Sequence, residues 1–163
     1  MSVNRYLPHI LVLPEDDANR QVANGFPRDQ YLAFLRIQVL EEAGGWTMVL
    51  ERFLSDHVAA MKPYTNRFMV LLIDFDGSEE RLQYAQAQIP GHLRERVFIL
   101  GARSDPEALK RAVSLSYETI GLELARDCRE ETNTIWGHPL LQHNASELDR
   151  LRVFVSPILF PSS

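Results

Sequence analysis

The stretch Phe68-Met69-Val70-Leu71-Leu72-Ile73-Asp74-Phe75-Asp76-Gly77 decides the fold. An apolar run of this length, ended by carboxylates, is the mark of a strand buried on both faces, as in a parallel sheet held between two layers of helix. The carboxyl ends of such strands open into the crevice where ligands bind, so Asp74 and Asp76 leave the strand where a site would be built. While the chain stays extended, residues two apart point the same way. Gly77 then permits a sharp turn. Asp and Gly are also ordinary turn formers, so the same residues suit a plain polar turn.

The pattern occurs earlier as well. His9 to Leu13 is apolar and runs into Pro14-Glu15-Asp16-Asp17, a second buried strand with carboxylates at its end. Asp17 is placed to cap a helix carrying Val22, Ala23 and Phe26. Between Tyr31 and Glu42, Leu35, Ile37 and Val39 alternate with polar residues, as in a strand near a sheet edge. After Gly44-Gly45, Thr47 is expected to cap a helix with Leu50, Phe53, Leu54, His57, Val58 and Met61 on one stripe. Ser78 caps another, with Glu79 and Glu80 in its first turn. Val97 to Leu100 is a fourth strand, and Asp105-Pro106-Glu107 opens the longest helix, running to about Cys128. Asn144-Ala-Ser-Glu147 reads as a capping box. The predicted fold is α/β, with a four-stranded, mostly parallel sheet and helices on both faces.

A chain of 163 residues fits one domain. With 45% apolar and 24% charged residues, its composition is that of a globular protein. Cys128 is the only cysteine, so no intrachain disulfide forms. It reads as a small packing residue. No apolar run reaches bilayer length, which excludes membrane insertion. The start of the chain lacks the regions of a signal peptide, which points to the cytoplasm. The net charge of −5 offers no general attraction for nucleic acid, so a polyanion would need a local basic patch or bound divalent cations.

Glu15, Asp74 and Asp76 stand at the ends of two buried strands and can converge. Oxygen-only donor sets of this kind hold magnesium, with one or two carboxylates and several waters. A glutamate closing the first strand and an Asp-x-Asp closing the third, in a β-α-β-α-β-α-β unit, resembles the TOPRIM domain of topoisomerases, bacterial primases and several nucleases. The resemblance covers roughly residues 7–103 and leaves a helical C-terminal extension over about 105–163. It implies magnesium- or manganese-dependent phosphoryl transfer on DNA or RNA. Glu15 would act in acid/base catalysis, and Asp74 and Asp76 would bind the metal. In the family a glycine commonly follows the glutamate, where this chain has Asp16. Arg103, after the fourth strand, is a further catalytic candidate because a phosphate would bind it.

Two other resemblances use Asp74 differently. Leu72-Ile-Asp-Phe-Asp-Gly-Ser looks like the first motif of haloacid-dehalogenase phosphatases, with Asp74 as nucleophile and Asp76 as acid. Ile10-Leu-Val-Leu-Pro-Glu-Asp-Asp looks like the start of a receiver domain, with Asp74 as phosphoacceptor and Ser104 after the fourth strand. A non-catalytic module that binds a cation or a partner is the remaining alternative. His57 reads as a core or edge histidine. His138, His143 and Asn144 fall in an irregular polar segment beside Trp136 and have no zinc spacing. Nothing in the sequence sets an oligomeric state.

Overall fold

In the computed structural model, which describes residues 2–161, four strands form one sheet: β1 (His9–Pro14), β2 (Ile37–Val39), β3 (Arg67–Leu72) and β4 (Val97–Leu100). Every pairing is parallel, in the order β2-β1-β3-β4. The apolar runs become strands covered on both faces, β1 and β3 at the centre of the sheet and β4 at its edge; all six positions of β1 and all four of β4 are buried. His9 pairs with Arg67 and Pro14 with Leu72, so the carboxyl ends of β1 and β3 lie level. The edge strand β2 is shorter than its alternating sequence predicts, because Phe34–Arg36 coils into a 3₁₀ turn.

Helices cover both faces of the sheet. On one, α2 (Trp46–Arg52), α3 (Val58–Met61) and α4 (Glu79–Gln88) set Val49, Leu50, Met61 and Ala85 in a core with Leu11, Leu13, Met69 and Leu71. The opposite core joins Ile10, Val12 and Val70 to α1 (Asp17–Gly25), α5 (Pro106–Val113), α6 (Tyr117–Glu130), α7 (Ala145–Phe154) and α8 (Ser156–Leu159). Alternate residues of β1 and β3 thus feed opposite cores. The chain beyond residue 105 is no appendage. Leu109, Ile120, Leu124, Trp136, Leu148 and Leu151 all lie in that second core, each contributing about 1.5–3 kcal/mol through burial. Among the described residues no helix is long and apolar enough to cross a membrane.

Several local expectations are corrected. Asp16, not Asp17, caps α1, accepting the Asn19 N–H at 2.9 Å. Gly45, not Thr47, precedes α2. Between α2 and α3, Phe53–His57 forms a π turn, which shifts the phase of the apolar stripe. Leu54 is consequently 41% exposed, while Val49 is fully buried. The long helix expected from residue 105 is two, because Ser114 takes a left-handed conformation (φ +57°) that closes α5, and Ser116 then caps α6. The Asn144 and Glu147 side chains do not form a capping box. Asn144 exchanges two hydrogen bonds with the main chain of Gly101, and Glu147 accepts the Ile99 N–H at 2.8 Å, so together they close the outer edge of β4.

Helices α1 and α6 touch through their backbones. A Cβ on Gly121 would lie 1.9 Å from the Val22 carbonyl oxygen, and one on Gly25 would lie 1.9 Å from that of Glu118. Gly121→Ala is therefore expected to lower stability by about 1–3 kcal/mol, the usual cost of overpacking. Urea denaturation checks this. An unchanged midpoint would show that α1 moves aside freely.

Candidate functional site

The sheet order turns back on itself between β1 and β3, the switch point where open α/β sheets place ligands. Here the ladder ends in a side chain. The Glu15 N–H donates to the Leu72 carbonyl at 2.9 Å, and the Asp74 N–H then donates to the Glu15 carboxylate at 2.6 Å. Burial raises the Glu15 pKa; the Asp74 N–H opposes this, Asp16 adds to it, and Arg81 and the Trp46 N–H oppose it. Glu15 thus ties the turn after β1 to the end of β3 while holding its proton more firmly than a free glutamate.

Asn19 links the first two turns of the site. Its side-chain amide nitrogen donates to Asp16 Oδ1 and to Asp74 Oδ1, each at 2.9 Å, and the residue is only 2% exposed. The α1 cap is thereby tied to the end of β3. Burial pushes the Asp74 carboxyl up to about 7; the Asn19 bond works against this, and the charges of Glu15, Asp16 and Glu107 add to it. Arg81 does not neutralise that carboxyl through a direct bond. It donates to the Asp74 main-chain oxygen at 2.7 Å and lies 4.7 Å over the Trp46 ring.

Asp76 takes a different course from Asp74. Phe75 is buried and still pairs with Ala102, but Asp76 (φ +49°) and Gly77 (φ +70°) turn through the left-handed region. The rule that residues two apart share a direction holds only for extended chain. The Asp76 side chain is 78% exposed, with Arg81 at 3.7 Å. The structure therefore brings Glu15, Asp16 and Asp74 together and leaves Asp76 on the rim. Among the described residues, no group of three or more His, Cys, Asp and Glu side chains is arranged to hold a metal ion.

Arg103 borders another space. Its main chain bonds Leu140 and Gly77, and its exposed side chain edges a cleft of about 410 Å³ that includes Phe75, Ser78, Glu79 and His143 but not Asp74. The His143 ring meets Phe75 edge-on at 5.0 Å. Burial lowers the His143 pKa, with the Gly101 backbone opposing and Arg103 adding. His138 instead organises the loop, accepting the Leu140 N–H at 3.1 Å. Sequence reasoning passed over Asn19. Its one local signal is its position three residues after the capping Asp16, where its amide can reach back. Comparison with protein-family models, curated proteins and solved structures returns no match for this chain.

Proposed function

We propose that this chain is a TOPRIM-like, magnesium-dependent phosphoryl-transfer protein that hydrolyses phosphodiesters of DNA or RNA, with Asp74 at its centre. The observation that carries the reading is the Asn19 amide bridging Asp16 and Asp74 at the β1/β3 switch point. It fixes two carboxylates where only one oxygen of each is engaged by Asn19, which suits a hard cation that takes one or two carboxylates and keeps its waters. Asp74 and Asp16 would hold the ion, with Glu15 behind them and Asp76 on the rim. Bound there, magnesium or manganese would neutralise phosphate charge and acidify a water. Asn19 orients the two carboxyl groups. Glu15, whose pKa is raised, exchanges the proton.

A second reading has its own support. With Asp76 on the rim and the Ser104 hydroxyl buried without a partner among the described residues, Asp74 itself would accept a phosphoryl group. The two are separated by incubating the protein and magnesium or manganese with single-stranded and duplex nucleic acid, a phosphomonoester and a small phosphoryl donor. Phosphodiester cleavage is expected, falling about 100-fold in Glu15→Gln with little change in metal affinity. Cleavage indifferent to that substitution removes Glu15 from acid/base work. Covalent labelling of Asp74, detected by mass spectrometry, would establish the second reading, and no reaction of either kind would leave a non-catalytic cation or partner site.

A further inference from the structure

The opposite, amino-terminal edge of the sheet carries the reverse charge. Arg67 opens β3 and is only 8% exposed, yet its Nε donates to a neutral partner, His9 Nε2, at 2.9 Å. His9 is fully buried and its Nδ1 donates to the Leu7 carbonyl at 2.7 Å, which fixes the tautomer that leaves Nε2 as an acceptor. The Arg67 guanidinium lies 4.7 Å over the Tyr64 ring, and Arg5 lies 5.9 Å from the same ring with a 3.3 Å bond to its hydroxyl. Arg96 holds the Met61, Tyr64 and Arg67 carbonyls, and Arg36 holds that of Pro8.

None of these four arginines makes an ion pair among the described residues, although the chain as a whole is acidic. Nor do the two Nη groups of Arg67 hydrogen-bond to protein there. An arginine stays charged under all ordinary conditions, and the Arg67 Nη groups are not among the buried atoms without a partner, so their charge is open to a ligand. The Arg67 pKa is lowered by burial, with Tyr64 opposing and Arg5 adding to the shift, and no carboxylate takes part.

We infer that Arg67 and Arg5, which both lie against Tyr64, form, with His9 bonded to Arg67, a binding site for a phosphate group, carried by a small free phosphate anion or by an oligonucleotide backbone. The guanidinium fork matches phosphate oxygens in pairs, and the main-chain bonds of Arg96 and Arg36 hold the surrounding cations in place before any ligand arrives. The site lies roughly 20 Å from Asp74, the length of a six-residue strand, and is independent of the reaction proposed there.

Binding is measured in EDTA, so that no divalent ion links ligand to the Asp74 carboxylate, using calorimetry with inorganic pyrophosphate and fluorescence anisotropy with a labelled oligothymidylate. The wild type is expected to bind at least one of them, more weakly as salt rises. Arg67→Gln and Arg5→Gln should each weaken binding by about tenfold or more. If Arg67→Gln fails to fold, Arg5→Gln decides, because Arg5 is exposed. Binding of pyrophosphate alone identifies a small free phosphate anion as the ligand, and binding of the oligonucleotide alone identifies a backbone. Failure of the wild type to bind either at millimolar concentration, or wild-type affinity in the variants that fold, would overturn the site.

Discussion

Asp74→Asn is expected to lose at least about 100-fold in metal-dependent turnover, the scale of removing a positioned catalytic group, while making the metal-free protein more stable. Both effects come from one carboxyl. Burial pushes its pKa to about 7, whereas an aspartate in unfolded chain titrates near ~4. Between those values the folded protein binds the extra proton, so wild-type stability falls as pH rises through that window. Asparagine keeps an oxygen to accept the Asn19 bond and carries no charge. Its advantage should be small near pH 4 and largest above pH 7, on the order of 1–2 kcal/mol after discounting for the part of the carboxyl in contact with water. Urea denaturation in EDTA at pH 5 and pH 8 measures it. Magnesium should then stabilise the wild type at pH 8 and leave the variant unchanged, because an ion bound only to the folded state adds its binding energy to stability. Equal stability of the two proteins at both pH values, with equal magnesium shifts, would remove Asp74 from the site.

The elements that could be read from the sequence are those with local signals. β1, β3 and β4 are apolar runs, and Ser78 and Asp105 are capping residues next to acidic first turns; each is found where its own neighbours place it. Glu15 and Asp74 were legible as strand ends, and the parallel register brings them level. What stayed hidden depends on contacts between distant segments. Asn19 has a bland local reading as a helix residue, and its role exists only because β3 ends beside α1. Gly25 and Gly121 matter because two helices cross there, and the residues next to each do not announce the crossing. Asp76 failed to follow Asp74 because the turn begins one residue sooner than an extended Asp-x-Asp requires. Arg67 reads as a polar strand boundary until its guanidinium, which makes no ion pair among the described residues, is set beside Tyr64 and Arg5.

The segment after α6 was expected to be a polar, irregular loop, but it is built around one buried carboxylate. Asp127 is 2% exposed and accepts hydrogen bonds from the Thr132 hydroxyl at 2.7 Å and from the Thr134, Ile135 and Trp136 N–H groups at 3.1, 2.7 and 3.1 Å. The loop is drawn inward, so Ile135 and Trp136 enter the core and the Trp136 indole N–H reaches the Leu124 carbonyl. Burial alone would raise the Asp127 pKa, but the bonds from Thr132, Ile135, Trp136 and Thr134 outweigh it and hold the pKa below the ordinary value. Asp127→Ala removes the acceptor and leaves the Ile135 and Trp136 N–H groups buried without one, at about 1–3 kcal/mol each. The expected loss is about 3 kcal/mol or more at neutral pH, a large share of the stability of a domain this size. Because the folded carboxyl has the lower pKa, its contribution is present above the unfolded value near ~4 and fades as pH falls through the folded one. The gap between wild type and Asp127→Ala should therefore narrow in acid. Guanidinium denaturation followed by tryptophan fluorescence at pH 7 and pH 3 reports both, and a variant within about 1 kcal/mol of wild type at pH 7 would show that water satisfies the loop once the carboxylate is gone.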